Sequence, residues 1–102
     1  MNNRRVVVTG IGALTPIGNN LKTYWESLVA GKSGAGPITH FDASNFKTRF
    51  ACEVKDFDPL DFMERKEARK CDRFTHYALV TSDEAIIDAG LDFGYQILFR
   101  NP

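Results

Sequence analysis

The sequence predicts a layered α/β fold of which this chain supplies only a part. Three observations carry that expectation. Arg5-Val6-Val7-Val8-Thr9 is a short β-branched run of the kind that fills a strand covered on both faces. The segment from about Asp72 to Ala89 reads as a long helix that is apolar on two opposite sides and so needs cover on both. Two short strands and one other helix, all that the rest of the chain offers, are too few to give it that cover.

Taken in order, the first strand ends at Gly10 as a central, parallel-type strand. Gly10-Ile11-Gly12-Ala13-Leu14-Thr15-Pro16-Ile17-Gly18 follows as a glycine-rich connection, and Asn19 or Asn20 is placed to cap a helix. Leu21, Tyr24, Trp25, Leu28 and Val29 recur at helical spacing as one apolar stripe, with Gly31 as the stop. Turn formers dominate from Lys32 to Lys47, which predicts a loop. Phe50, Cys52 and Val54 alternate with Ala51 and Glu53, predicting a half-buried strand with Cys52 on its core side. Asp58-Pro59 starts a short helical turn. In the long helix, Asp72 is the N-cap and Gly90 the stop; Phe74, Tyr77, Ala78, Ala85 and Ala89 share one side, and Leu79, Val80, Ile86 and Ile87 the other.

Charge narrows the function classes. Thirteen Lys and Arg balance thirteen Asp and Glu, so global charge argues for neither nucleic acid nor an acidic membrane surface, and any electrostatic recognition is local. Cys52 and Cys71 form no C-x-x-C pair and have no His at ligand spacing, which argues against zinc. Arg4-Arg5 before Val6-Val7-Val8 imitates a signal peptide, but Thr9, Gly10, Gly12, Thr15 and Pro16 break the apolar run at once. The expectation is a soluble, cytoplasmic protein with reduced thiols and no membrane span.

The glycine connection is not a nucleotide cradle. A dinucleotide fingerprint needs a small residue where Thr15 stands, and the G-x-x-x-x-G-K-[ST] pattern is absent, so Gly10 and Gly12 are read as sites of close packing and no cofactor is expected. His40 and His76 lack a partner at a telling spacing and are read as structural. Cys71 lies beside Arg69, Lys70 and Arg73, yet a nucleophile also needs a positioned base. The cluster Arg65, Lys66, Arg69, Lys70 and Arg73 is more informative. On one continuous helix, Lys66, Arg69, Lys70 and Arg73 fall within an arc of about 100 degrees. Such a ridge is either a solvated face relieved by Glu64 and Glu67 or a docking patch for an acidic partner, and the pattern alone leaves both open.

Joined together, these segments resemble a known family. Arg4-Arg5-Val6-Val7-Val8-Thr9-Gly10-Ile11-Gly12, Thr15-Pro16-Ile17-Gly18-Asn19, Trp25, Ala30-Gly31-Lys32-Ser33-Gly34, His40-Phe41-Asp42, Phe50-Ala51, Val54-Lys55-Asp56-Phe57 and Arg65-Lys66-Glu67-Ala68-Arg69-Lys70 are similar, in order and spacing, to the start of the 3-oxoacyl-[acyl-carrier-protein] synthases of type II fatty-acid synthesis. The resemblance covers about residues 3 to 93. It implies the N-terminal portion of a thiolase-like layered α/β/α/β/α fold, usually dimeric. It also implies a condensing acyltransferase in which a cysteine thiolate takes the acyl chain from acyl carrier protein, malonyl carrier protein is decarboxylated, and two histidines stabilise the developing charge. In the family that cysteine and both histidines lie downstream, and Cys52, Cys71, His40 and His76 match none of them. No catalytic, cofactor or metal residue is therefore assigned, and the isolated chain is expected to be inactive. Lys66, Arg69 and Lys70 do match, as part of the basic surface that meets the acidic helix of acyl carrier protein. A non-catalytic carrier-binding or chain-length-factor-like module is the alternative.

Two departures stand out: Cys71 where relatives commonly have Met, and His76 where Gln is common. Residues 1–93 are read as the N-terminal part of the synthase domain. Residues 94–102, Gly94 to Pro102, match nothing in the family and are read as a divergent tail arising from truncation or a frameshift.

Overall fold

A computed structural model describes residues 3–91. The elements are α1 (Leu21–Val29), β1 (Ala35–Pro37), β2 (Phe50–Cys52), a 3-10 turn (Pro59–Asp61), α2 (Arg65–Arg69) and α3 (Arg73–Asp88). They fall into two compact units, one of residues 13–58 and one that joins 3–12 to 59–91. The expected tail lies outside the described residues.

In the first unit, α1 starts as its sequence dictates. Asn20 is extended, and its side chain accepts from Thr23 N at 2.8 Å, satisfying one of the free donors of the first turn. Ala30 is the C-cap and Gly31 follows at φ +72, the left-handed closure that glycine adopts at no steric cost. The inward line differs from the predicted stripe. Leu21 and Tyr24 are half-buried and Ser27 is buried, whereas Trp25, Leu28 and Val29 are exposed. Gly18 sets this orientation by lying against the backbone of Thr23 and Tyr24, and Lys32 N holds Ser27 O at 3.0 Å.

The stretch expected as loop contains a strand. β1 pairs antiparallel with β2 in the register Ala35↔Cys52, Gly36↔Ala51 and Pro37↔Phe50. Ile38 N donates to Arg49 O at 3.0 Å, so 38 and 49 are a hydrogen-bonded pair, and alternation makes Gly36 and Ala51 the next one. Pro37 thereby falls between bonded pairs, where its missing N–H removes nothing from the ladder. Within β2 the burial reverses the expectation, with Phe50 and Cys52 exposed and Ala51 half-buried; just beyond it Glu53 and Val54 are both half-buried. Cys52 is thus not a core residue. Glu53 turns inward because its carboxylate accepts from Thr39 Oγ1 at 2.8 Å, Thr39 N at 3.2 Å and His40 N at 3.3 Å.

In the second unit the run 5–9 is neither helix nor strand, and no backbone hydrogen bond reaches it among the described residues. Val6, Val7 and Val8 are 92%, 69% and 81% exposed. A strand exists only through its ladder, and the partners that a central parallel strand requires are not among these residues. Gly10 and Gly12 instead lie on α3. A Cβ on Gly10 would sit 2.6 Å from Ala89 N, and one on Gly12 would strike Thr81 O, so both positions admit backbone only because they carry no side chain. As residue number rises from 10 to 12 the contacts fall from Ala89 and Ala85 to Thr81, so the segment runs antiparallel to α3.

The two-sided character of α3 is visible in its burial. Thr81, Ala85 and Ala89 are covered by the glycine segment, while Phe74 and Ala78, one to two turns earlier on the same face, are exposed. On the other side Val80 is buried and Ile87 is exposed. Asp72 stands extended at the N-cap position, as its sequence predicts, but its side chain makes no capping bond; the far end closes through Ala89 and Gly90 at φ +73. Met63 is buried beneath the turn where Phe62 N and Met63 N both bond Pro59 O. No helix among the described residues is long and apolar enough to cross a membrane.

Candidate functional site

The basic cluster lies on α2 and its cap. Lys66 and Arg69 occupy the last turn of α2, Lys70 is its C-cap, and all three are exposed. Cations are favoured there, because the unpaired carbonyls at a helix C-terminus carry partial negative charge. Lys70 Nζ lies 3.7 Å from Glu67 Oε1, an exposed i,i+3 pair of the kind worth about 0 to 1 kcal/mol, too little to lock the ammonium in place. The ridge is shorter than the sequence predicted. Cys71 and Asp72 end α2 and restart the chain as α3, so Arg73 belongs to a different helix. The fold therefore brings Lys66, Arg69 and Lys70 together on one element and leaves Arg73 off it.

Each histidine meets a neighbouring group. His76 Nε2 lies 2.9 Å from Ala68 O; a carbonyl only accepts, so this nitrogen carries the proton and ties α3 to α2. His40 Nε2 lies 3.7 Å from Glu53 Oε2. The Glu53 carboxyl is held below its ordinary pKa, first by the Thr39 hydroxyl; desolvation, the next largest influence, opposes this, and the Thr39 and His40 N–H groups and the nearby imidazole add to the lowering. Asp42 is lowered likewise by Ser44, whose N–H lies 3.0 Å from Oδ1. Cys71 is half-buried in the connector, and Cys52 is exposed on β2. Among the described residues no three His, Cys, Asp or Glu side chains are grouped to hold a metal ion.

A second feature, in the unit of residues 13–58, escaped sequence reasoning. An open cleft of about 270 Å³ lies between the glycine connection, the start of α1 and the exit of β2, with Asn20, Thr23, Lys32, Ser33 and Asp56 among its lining residues. Lys55 assembles it. Its Nζ donates to Gly34 O at 2.7 Å, Glu53 O at 3.1 Å and Pro16 O at 3.2 Å, while its own carbonyl accepts from Asn19 Nδ2 at 2.7 Å. No local pattern announces such a residue, because two of its acceptors are main-chain carbonyls 39 and 21 positions away.

Comparison with known proteins sets these surfaces in context. The family described as beta-ketoacyl synthase, N-terminal domain, matches residues 3–94. This chain belongs to the beta-ketoacyl synthase family. As a beta-ketoacyl synthase N-terminal domain it is 56% identical over 91 residues to 3-oxoacyl-[acyl-carrier-protein] synthase 2 of Synechocystis sp., covering 89% of this chain and 22% of that protein. It is 50% identical over 92 residues to the Vibrio harveyi protein of the same name, covering 90% and 22%. A solved structure titled the ishigamide ketosynthase/chain length factor superposes with a TM-score of 0.81 at 41% identity, over 89% of this chain and 23% of that one. The domain is therefore a partial α/β unit of the thiolase-like fold, and it spans about a fifth of the length of the relatives it matches.

Proposed function

We propose that this chain is the N-terminal part of a condensing enzyme that elongates acyl chains on acyl carrier protein in fatty-acid biosynthesis. The observation that carries the reading is the 56% identity, over 89% of the chain, to a relative named 3-oxoacyl-[acyl-carrier-protein] synthase 2. In the parent enzyme a cysteine thiolate displaces the carrier's thiol from the acyl thioester. Malonyl carrier protein then loses carbon dioxide, and the resulting carbanion attacks the enzyme-bound acyl group and expels the cysteine thiolate. Those groups lie outside this chain, which contributes scaffold and a docking face. Lys66, Arg69 and Lys70, exposed on one short helix and its cap, serve to steer and orient the acidic carrier. The parent is read as a cytoplasmic homodimer.

Expressing the reading frame of the source gene through its downstream sequence tests this. Acyl and malonyl carrier proteins should yield a 3-oxoacyl carrier protein and carbon dioxide, with a cysteine and two histidines encoded beyond this segment. Similarity to a structure titled ketosynthase/chain length factor supports a second reading, a non-catalytic subunit. A downstream sequence without the cysteine, and no turnover, would favour it.

A further inference from the structure

We propose that Lys55 is the positioning residue of the cleft, an ammonium tripod that fixes three otherwise separate backbone segments. Three observations converge. The ammonium has three donors, and all three are directed at main-chain carbonyls: Pro16 in the glycine connection, Gly34 ahead of β1, and Glu53 at the exit of β2. The tie is reciprocal, because Asn19 Nδ2 reaches back to the Lys55 carbonyl, so the connection is bound through both the side chain and the main chain of the same residue. The next residue, Asp56, sits at φ +57, a left-handed conformation that a non-glycine residue keeps only where its surroundings over-determine it.

A planar guanidinium does not substitute here. Its donors fan out in one plane from separate nitrogens, whereas these three carbonyls lie 2.7, 3.1 and 3.2 Å from one nitrogen, which suits the three donors of an ammonium. The Lys55 amine is therefore engaged three times over although its side chain is exposed, in contrast to Lys22, likewise exposed on α1, whose side chain makes no hydrogen bond or ion pair among the described residues.

Two measurements on the 102-residue chain test the assignment without reference to any activity of the parent. The first is amine labelling by formaldehyde and cyanoborohydride, read by peptide mass spectrometry. Lys55 should label at least about tenfold more slowly than Lys22, since reaction requires breaking charge-assisted hydrogen bonds. Equal rates overturn the proposal. The second is hydrogen exchange in Lys55→Met and Lys55→Arg. Both should speed the Thr15 and Gly18 amides, which bond each other's carbonyls at 2.8 and 3.2 Å, by roughly tenfold while leaving α3 unchanged. Unchanged Thr15 and Gly18 amides in Lys55→Met, or full protection in Lys55→Arg, overturn the tripod. Where Lys55→Met unfolds the whole chain, the labelling rate of the unaltered chain decides alone.

Discussion

His76 Nε2 donates to the carbonyl oxygen of Ala68 at 2.9 Å, so one imidazole bridges the first turns of α3 and the end of α2. His76→Ala should leave that carbonyl with only the longer bond from Cys71 N at 3.3 Å and cost about 0.5 to 1.5 kcal/mol. His76→Gln, with an amide that also donates, should keep most of the stability. Hydrogen exchange of the amides of α2 and the first turns of α3 checks this; equal protection in the alanine and glutamine variants would deny the bridge a role.

Glu53 should give the chain an acid-sensitive element. Its carboxyl is depressed below the ordinary glutamate value by Thr39 and His40. A depressed carboxyl contributes stability that is fully present above its unfolded pKa and lost as pH falls through the folded one. Protection of the Thr39 and His40 amides should therefore hold at neutral pH and fall only below the ordinary glutamate range. Glu53→Gln should lower it at neutral pH and flatten the acid response, and an unaltered acid response in that variant would remove Glu53 as the cause.

The glycine contacts predict a contrast within one residue type. Gly12→Ala places a methyl against Thr81 O and should destabilise the packing of α3 by about 1 to 3 kcal/mol, as overpacking does. Gly36→Ala meets nothing within 4 Å and should be neutral or slightly stabilising. Exchange protection along α3 separates the two, and equal effects would mean that the close approach is not limiting.

Exposed Val6, Val7, Val8, Phe74 and Ile87 predict self-association of the 102-residue chain, because apolar surface of this extent draws partners. Sedimentation velocity at micromolar concentration should show species larger than a monomer. A monomer with a sharp two-state melt would contradict the prediction. The same chain, mixed with acyl and malonyl carrier proteins, should form no 3-oxoacyl product.

If Lys66, Arg69 and Lys70 steer a carrier in the parent enzyme, their loss should raise KM for carrier-linked substrate and spare kcat. Each exposed pair is worth about 0.2 to 1 kcal/mol, so single alanine changes should be mild and a triple reversal to Glu severe. The effect should shrink with salt, since screening acts over about 10 Å at 0.1 M. A small thioester analogue should be used equally well by both enzymes. Equal losses on both substrates, or none at low salt, would reduce these residues to a solvated face.

What the sequence made legible follows from where the physics is local. Asn20, Gly31 and Gly90 delimit α1 and the end of α3 because caps and left-handed closures are decided within one turn, and Asp72 marks the start of α3 by position without a capping bond. The run 5–9 announces a strand, but a ladder is a property of its partners. β1 was hidden because Gly36 and Pro37 signal turns, and only the pairing parity shows that Pro37 falls where no donor is needed. Alternation separated the two faces of β2 without saying which was inward, and the bonds to Glu53 decided it. The docking role proposed for Lys66, Arg69 and Lys70 came from family resemblance, whereas the bonds of Lys55 had no sequence signal, because main-chain carbonyls leave no trace in residue identity.

The parity that seats Pro37 opposite Phe50 also governs how the ribbon can be extended. Residues between bonded pairs aim their N–H and C=O groups outward. On β1 these are Ala35, whose N–H is already donated to Ser33 Oγ at 3.2 Å, and Pro37, which has none. An incoming strand would find acceptors along that flank but no donors, which blunts the edge against strand addition. Sheet growth is thereby directed to the opposite flank, where Phe50 and Cys52 present outward N–H groups.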